Sequence, residues 1–164
     1  MLDPFLVWLE STALSEWVTG SPSMLAFPGI LALHAIGMAL AAGLAGVLDL
    51  RILGVAPGVP LADFRRFRPA LWGGFWLNAV SGVLLLVGYP TKALTNPVFY
   101  LKLVLIAVAM VLYVRIDRLV RAGDPAHPAT ARTLRRFAIT SLACWAGAIT
   151  AGRLLAYTYT RLRA

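Results

Sequence analysis

LAFPGILALHAIGMALAAGLAGVLDL, residues 25–50, is the stretch on which the reading of the fold turns. His34 is its only ionisable side chain before Asp49. A helix over the run is roughly 39 Å long at about 1.5 Å per residue, enough to cross a hydrocarbon core of about 30 Å. Three further apolar runs follow, at about 69–88, 97–114 and 137–159. Ahead of the first span, Leu2, Phe5, Leu6, Leu9, Leu14, Trp17 and Val18 recur near a helical period, broken by polar positions. That stretch is too short and too polar to span. It predicts an amphipathic helix lying at the interface, anchored by Trp8 and Trp17 at headgroup level. Gly20-Ser21-Pro22-Ser23 then turns the chain, and Tyr89-Pro90 with Asn96-Pro97 frames a short hairpin between the second and third spans. The expectation is an all-α protein: one transmembrane domain over 1–164, an integral-membrane four-helix bundle with an N-terminal interfacial helix.

Composition agrees. With 60% hydrophobic and 13% charged residues, the chain falls outside the range of soluble domains. The formal net charge of +8 comes from residues in the turns between apolar runs, not from an amphipathic surface helix. It is therefore a topology signal, and no nucleic-acid partner is expected. Ten of the fifteen Lys and Arg residues lie in two loops, Arg51, Arg65, Arg66 and Arg68 in the first and Arg115, Arg118, Arg121, Arg132, Arg135 and Arg136 in the third. Lys and Arg are retained on the cytoplasmic side, so the prediction is N-out, C-out in a bacterial inner (cytoplasmic) membrane. Asp3, Glu10 and Glu16 precede the first span without any Lys or Arg, so no cleavable signal peptide is expected. The single cysteine, Cys144, lies in an apolar run, which excludes an internal disulfide and a multi-cysteine metal site. His127 falls in the polar connector 123–130, between two prolines, and reads as a solvated loop residue.

Ionisable groups inside a span cost several kcal/mol unless they face a bundle interior or a cavity, so each is a candidate for function. His34 lies about 10 Å past Phe27, Lys102 about 8 Å past Pro97, and Arg153 about 9 Å before Tyr159, counting at the helical rise. All three occupy one level in the outer leaflet. Ser81 adds a hydroxyl about 12 Å from Tyr89, and Asn78 lies one turn deeper. Met38 stands one turn inward of His34 on the same helix face, and a histidine with a thioether at that spacing suits Cu(I) or haem iron. Trp145 and Tyr157, along the helix of Arg153, suit a ring-shaped ligand or an aromatic belt. The small residues Ala41, Ala42, Gly43, Ala45 and Gly46 permit either tight helix packing or room for a flat ligand. Asp49 is expected to pair with a loop arginine, and Asp117 with Arg121 as a helical ion pair.

Five segments carry a resemblance: WLESTALSEWV, LHAIGMALAAGLAGVLDLRILG, RRFRPALWGGFWLNAVSGVLLL, NPVFYLKLVLIA and WAGAITAGRLLAY. Together they resemble an uncharacterised bacterial family of four-helix membrane proteins, over nearly the whole chain. More distantly, three features are similar to the copper-resistance D-type membrane domain and to the HemJ-type protoporphyrinogen oxidase. These are a first-helix His followed by small residues, a basic Phe-containing segment before a Ser-Gly helix, and a Lys opening the third helix. The HemJ-type resemblance implies b-type haem, with functional roles at His34 and Lys102. The chain departs from it in having no second histidine within a span, so Met38, Lys102 or a homodimer partner would supply the other axial ligand.

The leading expectation is a redox-linked membrane protein that binds haem b or a quinone near the periplasmic leaflet. In it His34 is ligand or hydrogen-bond partner, Lys102 and Arg153 hold an anionic group, and Asn78, Ser81, Trp145 and Tyr157 line the site. One alternative is copper handling at His34 and Met38. The other is a non-catalytic subunit or assembly factor of a larger membrane complex. No catalytic residue is assigned.

Overall fold

The computed structural model describes residues 4–122 and 127–161. Leu2 and Asp3 of the interfacial stretch, residues 123–126 of the connector, and Arg163 lie outside them. The elements in chain order are α1 (Pro4–Glu10), α2 (Ala13–Gly20), α3 (Phe27–Ile52), a 3-10 helix (Leu61–Phe67), α4 (Arg68–Gly88), α5 (Pro90–Leu94), α6 (Pro97–Ala122) and α7 (Pro128–Arg161). The described residues contain no strand. Helices α3, α4, α6 and α7 are long and apolar enough to cross a membrane, as the four apolar runs predict. An even number of crossings brings α1, α2 and the end of α7 to one side, the terminal side, and leaves the long arginine-rich connections on the other, the loop side.

Prolines mark where these helices begin. Pro90, Pro97 and Pro128 are first residues of their helices, and Pro28 and Pro69 stand in the first turns of α3 and α4. The missing N–H is harmless there because the first turn has no carbonyl to receive it. Asn96 Oδ1 accepts from Val98 N at 3.0 Å and caps α6. At the other end of α3, Gly54 N donates to Arg51 O and Val55 N to Leu50 O, with Gly54 at φ 104°. This paired closure needs the left-handed conformation that glycine adopts without strain. Arg51 then donates Nη2–H to Pro57 O at 2.7 Å and Nε–H to Val59 O, which folds the following loop back on the helix end.

Two differences from the sequence reading have simple causes. The interfacial helix is split into α1 and α2 because Thr12 caps a new helix, accepting from Ser15 N at 3.3 Å. Leu6 and Val18 face inward while Trp8 and Trp17 stay exposed. On the loop side, α6 and α7 continue well beyond their apolar runs, to Ala122 and from Pro128. Hydropathy stops at the first charges, whereas the backbone carries on through residues of good helix propensity. The Asp117–Arg121 pair lies in that extension at 2.7 Å, and Arg68 of α4 approaches the same carboxylate oxygen at 3.8 Å.

Helix α3 packs against α4, α6 against α7, and the two pairs join through α3 and α7. The tightest approach is at Gly37 and Gly74. A Cβ on Gly37 would lie 2.5 Å from Asn78 N and 2.8 Å from Gly74 O, and one on Gly74 would lie 2.5 Å from Leu40 Cβ. Ala41 and Ala45 extend this seam into an apolar core with Leu48, Leu71, Met110, Tyr113, Ile116, Leu134 and Trp145. The buried small residues of α3 thus serve close packing; Gly43 has nothing within 4 Å of its Cβ position. At the terminal side, α2 seats Val18 on Gly88 of α4, where an added Cβ would come within 2.7 Å of Val18 Cγ1.

Gly37→Ala is expected to lower detergent-solubilised stability by about 1–3 kcal/mol, the usual scale of overpacking. Gly43→Ala, in open space on the same helix, is expected to be neutral or to stabilise by up to about 1 kcal/mol. Thermal unfolding of the two variants beside the wild type checks both.

Candidate functional site

The Gly37–Gly74 contact fixes what lies one turn away. His34 on α3 and Asn78 with Ser81 on α4 are brought face to face, and Lys102 reaches in from α6. Around the imidazole, Nδ1 lies 3.0 Å from Asn78 O, 3.2 Å from Ser81 Oγ and 3.3 Å from Asn78 Nδ2, while Nε2 lies 3.3 Å from Lys102 Nζ. The Asn78 carbonyl only accepts and the lysine ammonium only donates. These partners assign a neutral imidazole that donates Nδ1–H to Asn78 O and accepts from Lys102 at Nε2. Ser81 spends its hydroxyl proton on Leu77 O at 2.6 Å, and Asn78 donates Nδ2–H to His34 O at 2.8 Å. The contact between Asn78 Nδ2 and His34 Nδ1 is then donor beside donor, tolerated because each has its own acceptor.

Gly82 leaves room for this arrangement, and Gly152 lies in ordinary contact with Lys102. A Cβ on Gly82 would lie 3.1 Å from His34 Cε1, and one on Gly152 would come within 3.7 Å of Lys102 Cε and 3.8 Å of Nζ. The lysine is half-buried, and among the described residues no carboxylate pairs with it. It is a cation in a spanning helix whose one hydrogen-bond partner among the described residues is a neutral imidazole. Such a group has an unmet need for an anion or a carbonyl oxygen.

The structure therefore joins four of the predicted site residues, His34, Asn78, Ser81 and Lys102. It leaves Arg153 apart: that side chain is exposed and has no hydrogen bond or ion pair among the described residues. Tyr157 is exposed as well, and Trp145 is buried in the apolar core, away from the imidazole. Met38 packs on the same core instead of joining the polar group. Groups of three or more His, Cys, Asp or Glu side chains able to hold a metal ion do not occur among the described residues.

No family model matches the chain. Nor does any match emerge among curated proteins or solved structures.

Asp49 corrects an expectation. It is buried at the α3–α7 seam and forms no ion pair among the described residues. The nearby arginines are committed elsewhere or face outward: Arg51 holds loop carbonyls, Arg68 leans on Asp117, and Arg65 and Arg66 are exposed on the 3-10 helix. Counting positions from the helix end places Asp49 near the interface, but its azimuth on α3 turns it toward α7.

The assigned tautomer makes a direct prediction. In protein carrying ¹⁵N-histidine, His34 is expected to give the pattern of a neutral, Nδ1-protonated ring. Asn78→Ala, which removes the donor to His34 O, is expected to cost about 1 kcal/mol of stability, the scale of an interhelical hydrogen bond in a membrane. A neutral Nε2-protonated ring would contradict the arrangement described.

Proposed function

We propose that this protein is a redox-linked membrane protein that binds a quinone at His34 and Lys102. One observation carries the reading: Lys102 Nζ sits 3.3 Å from His34 Nε2 with no carboxylate partner among the described residues. A quinone ring presents carbonyl oxygens to an ammonium donor, and its reduced form presents a hydroxyl to an imidazole acceptor. The Lys102–His34 pair offers both roles at adjacent atoms. When a ligand oxygen takes the Lys102 donor, the Nε2 lone pair is freed to accept from the ligand hydroxyl, while Asn78 O keeps the ring oriented through Nδ1. A charge-assisted hydrogen bond of this kind is among the stronger polar contacts available in a low-dielectric site.

A b-type haem makes different demands on the same atoms. His34 Nε2 would become an axial ligand, Lys102 would turn to a propionate, and a second axial ligand would come from outside this set, because the only other histidine, His127, is exposed on the loop side. A quinone is satisfied by the two groups present. That difference favours the quinone.

The charge distribution supports a setting for this site. Ten of fifteen basic residues lie in the connections on the loop side, and we place that side in the cytoplasm of a bacterial cell and the His34–Lys102 pair in the periplasmic leaflet.

Titration of nanodisc-reconstituted protein with a short-chain quinone, followed by tryptophan quenching, is expected to saturate. Lys102→Ala and His34→Ala are each expected to weaken binding about tenfold or more, the equivalent of about 1.4 kcal/mol, while Gly43→Ala leaves it unchanged. Equal affinity in all four proteins would refute the quinone site, and a Soret band that disappears in His34→Ala would replace quinone by haem. For orientation, a cysteine at Gly58 should resist an impermeant maleimide in intact cells, and one at Thr95 should react.

A further inference from the structure

All ten cationic side chains of the loop-side connections are arginines, and the chain's two lysines, Lys92 and Lys102, both lie in the terminal-side half. Lysine and arginine serve equally in the charge bias that sets topology, so topology alone does not account for the choice. What arginine adds is a planar fork of donors that fits a phosphate through two bonds at once. Four of the ten are occupied within the protein. Arg51 holds the carbonyls of Pro57 and Val59, Arg68 and Arg121 share Asp117, and Arg132 donates to Pro128 O at 3.4 Å. The other six are exposed, and none has an ion pair among the described residues.

Two of the six differ from the rest in how they are presented. Leu61, Phe64 and Phe67 recur at every third residue of the 3-10 helix, whose period of three stacks them on one ridge. Leu61 and Phe64 pack on the apolar core, and the helix rests on α3, α4 and α6 at the loop-side end of the bundle. Arg65 and Arg66 take the neighbouring ridges and stay exposed. Arg66 Cζ stands 4.9 Å from the centre of the Phe67 ring, a cation–π contact that orders the guanidinium without spending any N–H. Asp63, the one acid of the 3-10 helix, forms an ion pair with neither. Both arginines stand within four residues of Pro69, where the apolar run of α4 begins. At the 3-10 rise of about 2.0 Å per residue that is about 8 Å, one screening length in physiological salt.

We propose that Arg65 and Arg66 clasp the phosphate of an anionic phospholipid, of the phosphatidylglycerol kind, in the loop-side leaflet. A basic cluster immediately beside a spanning helix is the arrangement that recognises anionic lipid. In phosphatidylcholine the same phosphate already carries an ammonium of its own, so the pair selects the headgroup that lacks one. Free phosphate fits the same forks, but a lipid phosphate is held at this height by its own chains.

The test takes the purified full-length protein in an uncharged detergent. Phosphatidylglycerol added in steps is expected to raise the unfolding temperature saturably and to stay bound in native mass spectra, while phosphatidylcholine and inorganic phosphate at matched concentration do neither. Arg65→Gln combined with Arg66→Gln is expected to raise the half-saturating phosphatidylglycerol concentration about tenfold or more. Arg65→Lys combined with Arg66→Lys keeps the charge and loses the fork, and is expected to bind more weakly than wild type but more tightly than the glutamine pair. Arg118→Gln combined with Arg135→Gln removes the same charge elsewhere on the loop side and is expected to leave binding nearly unchanged. An equal response to phosphatidylcholine, an effect reproduced by inorganic phosphate, wild-type affinity in the lysine pair, or equal losses in the two glutamine pairs would each overturn the proposal.

Discussion

Helices α3 and α4 touch backbone to backbone at Gly37 and Gly74, and most of the terminal-side half is referred to that point. The contact leaves no space for a Cβ on either helix. It therefore fixes both the separation of the helices and their register, which side-chain packing alone would leave free to slide. His34 is three residues before Gly37 and Asn78 four after Gly74 on an antiparallel neighbour. Once the glycines meet, the imidazole has no choice but to face the Asn78 carbonyl. The orientation of a titratable ring is thus set by two residues that have no side chain.

The two polar groups of the bundle show opposite solutions to the same difficulty. Without water, every donor and acceptor in a spanning region must find its partner inside the protein. Around His34 this is nearly complete: both ring nitrogens, the Asn78 amide and the Ser81 hydroxyl all have acceptors or donors, and the one unmet demand is the charge of Lys102. At Asp49 the carboxyl has the Ser141 hydroxyl of α7 beside it and no charged partner among the described residues. The first group is rigid and lacks one ligand atom, which suits an exchangeable molecule.

Much of this was legible in the sequence, and the limits follow from what sequence patterns encode. Apolar runs gave the four crossing helices because burial in hydrocarbon selects for length and composition, both visible one residue at a time. Counting the helical rise placed His34 and Lys102 at one level, and they meet. The same count placed Arg153 there, and it does not join them. Depth depends on position along one helix, whereas facing depends on the rotation of that helix against its neighbours, which periodicity reveals only when one face is polar. Here the lipid-facing and inward surfaces are both apolar. Asp49 failed for the same reason, as the charge near it in sequence is Arg51 while its neighbour in space is Ser141 of α7. Gly82 carried no signal because its contribution is the absence of an atom beside His34. The split at Thr12 had a local signal, a threonine ahead of a short helix with Glu16 in its first turn, that the longer amphipathic period masked.

Helix α6 runs eight residues past Val114, where its apolar stretch ends, and α7 begins nine before Phe137. At the helical rise this amounts to roughly 12 Å of paired helix beyond the hydrocarbon, more than one screening length of about 8 Å in physiological salt. Counted the same way, Arg132 stands about 7.5 Å and Arg121 about 10 Å beyond the ends of the apolar runs, within about one screening length of a headgroup layer. The arginines of this extension thus stand at graded heights, from Arg115 next to the end of the apolar run to Arg121 near the tip, where the Asp117 carboxylate already answers its charge.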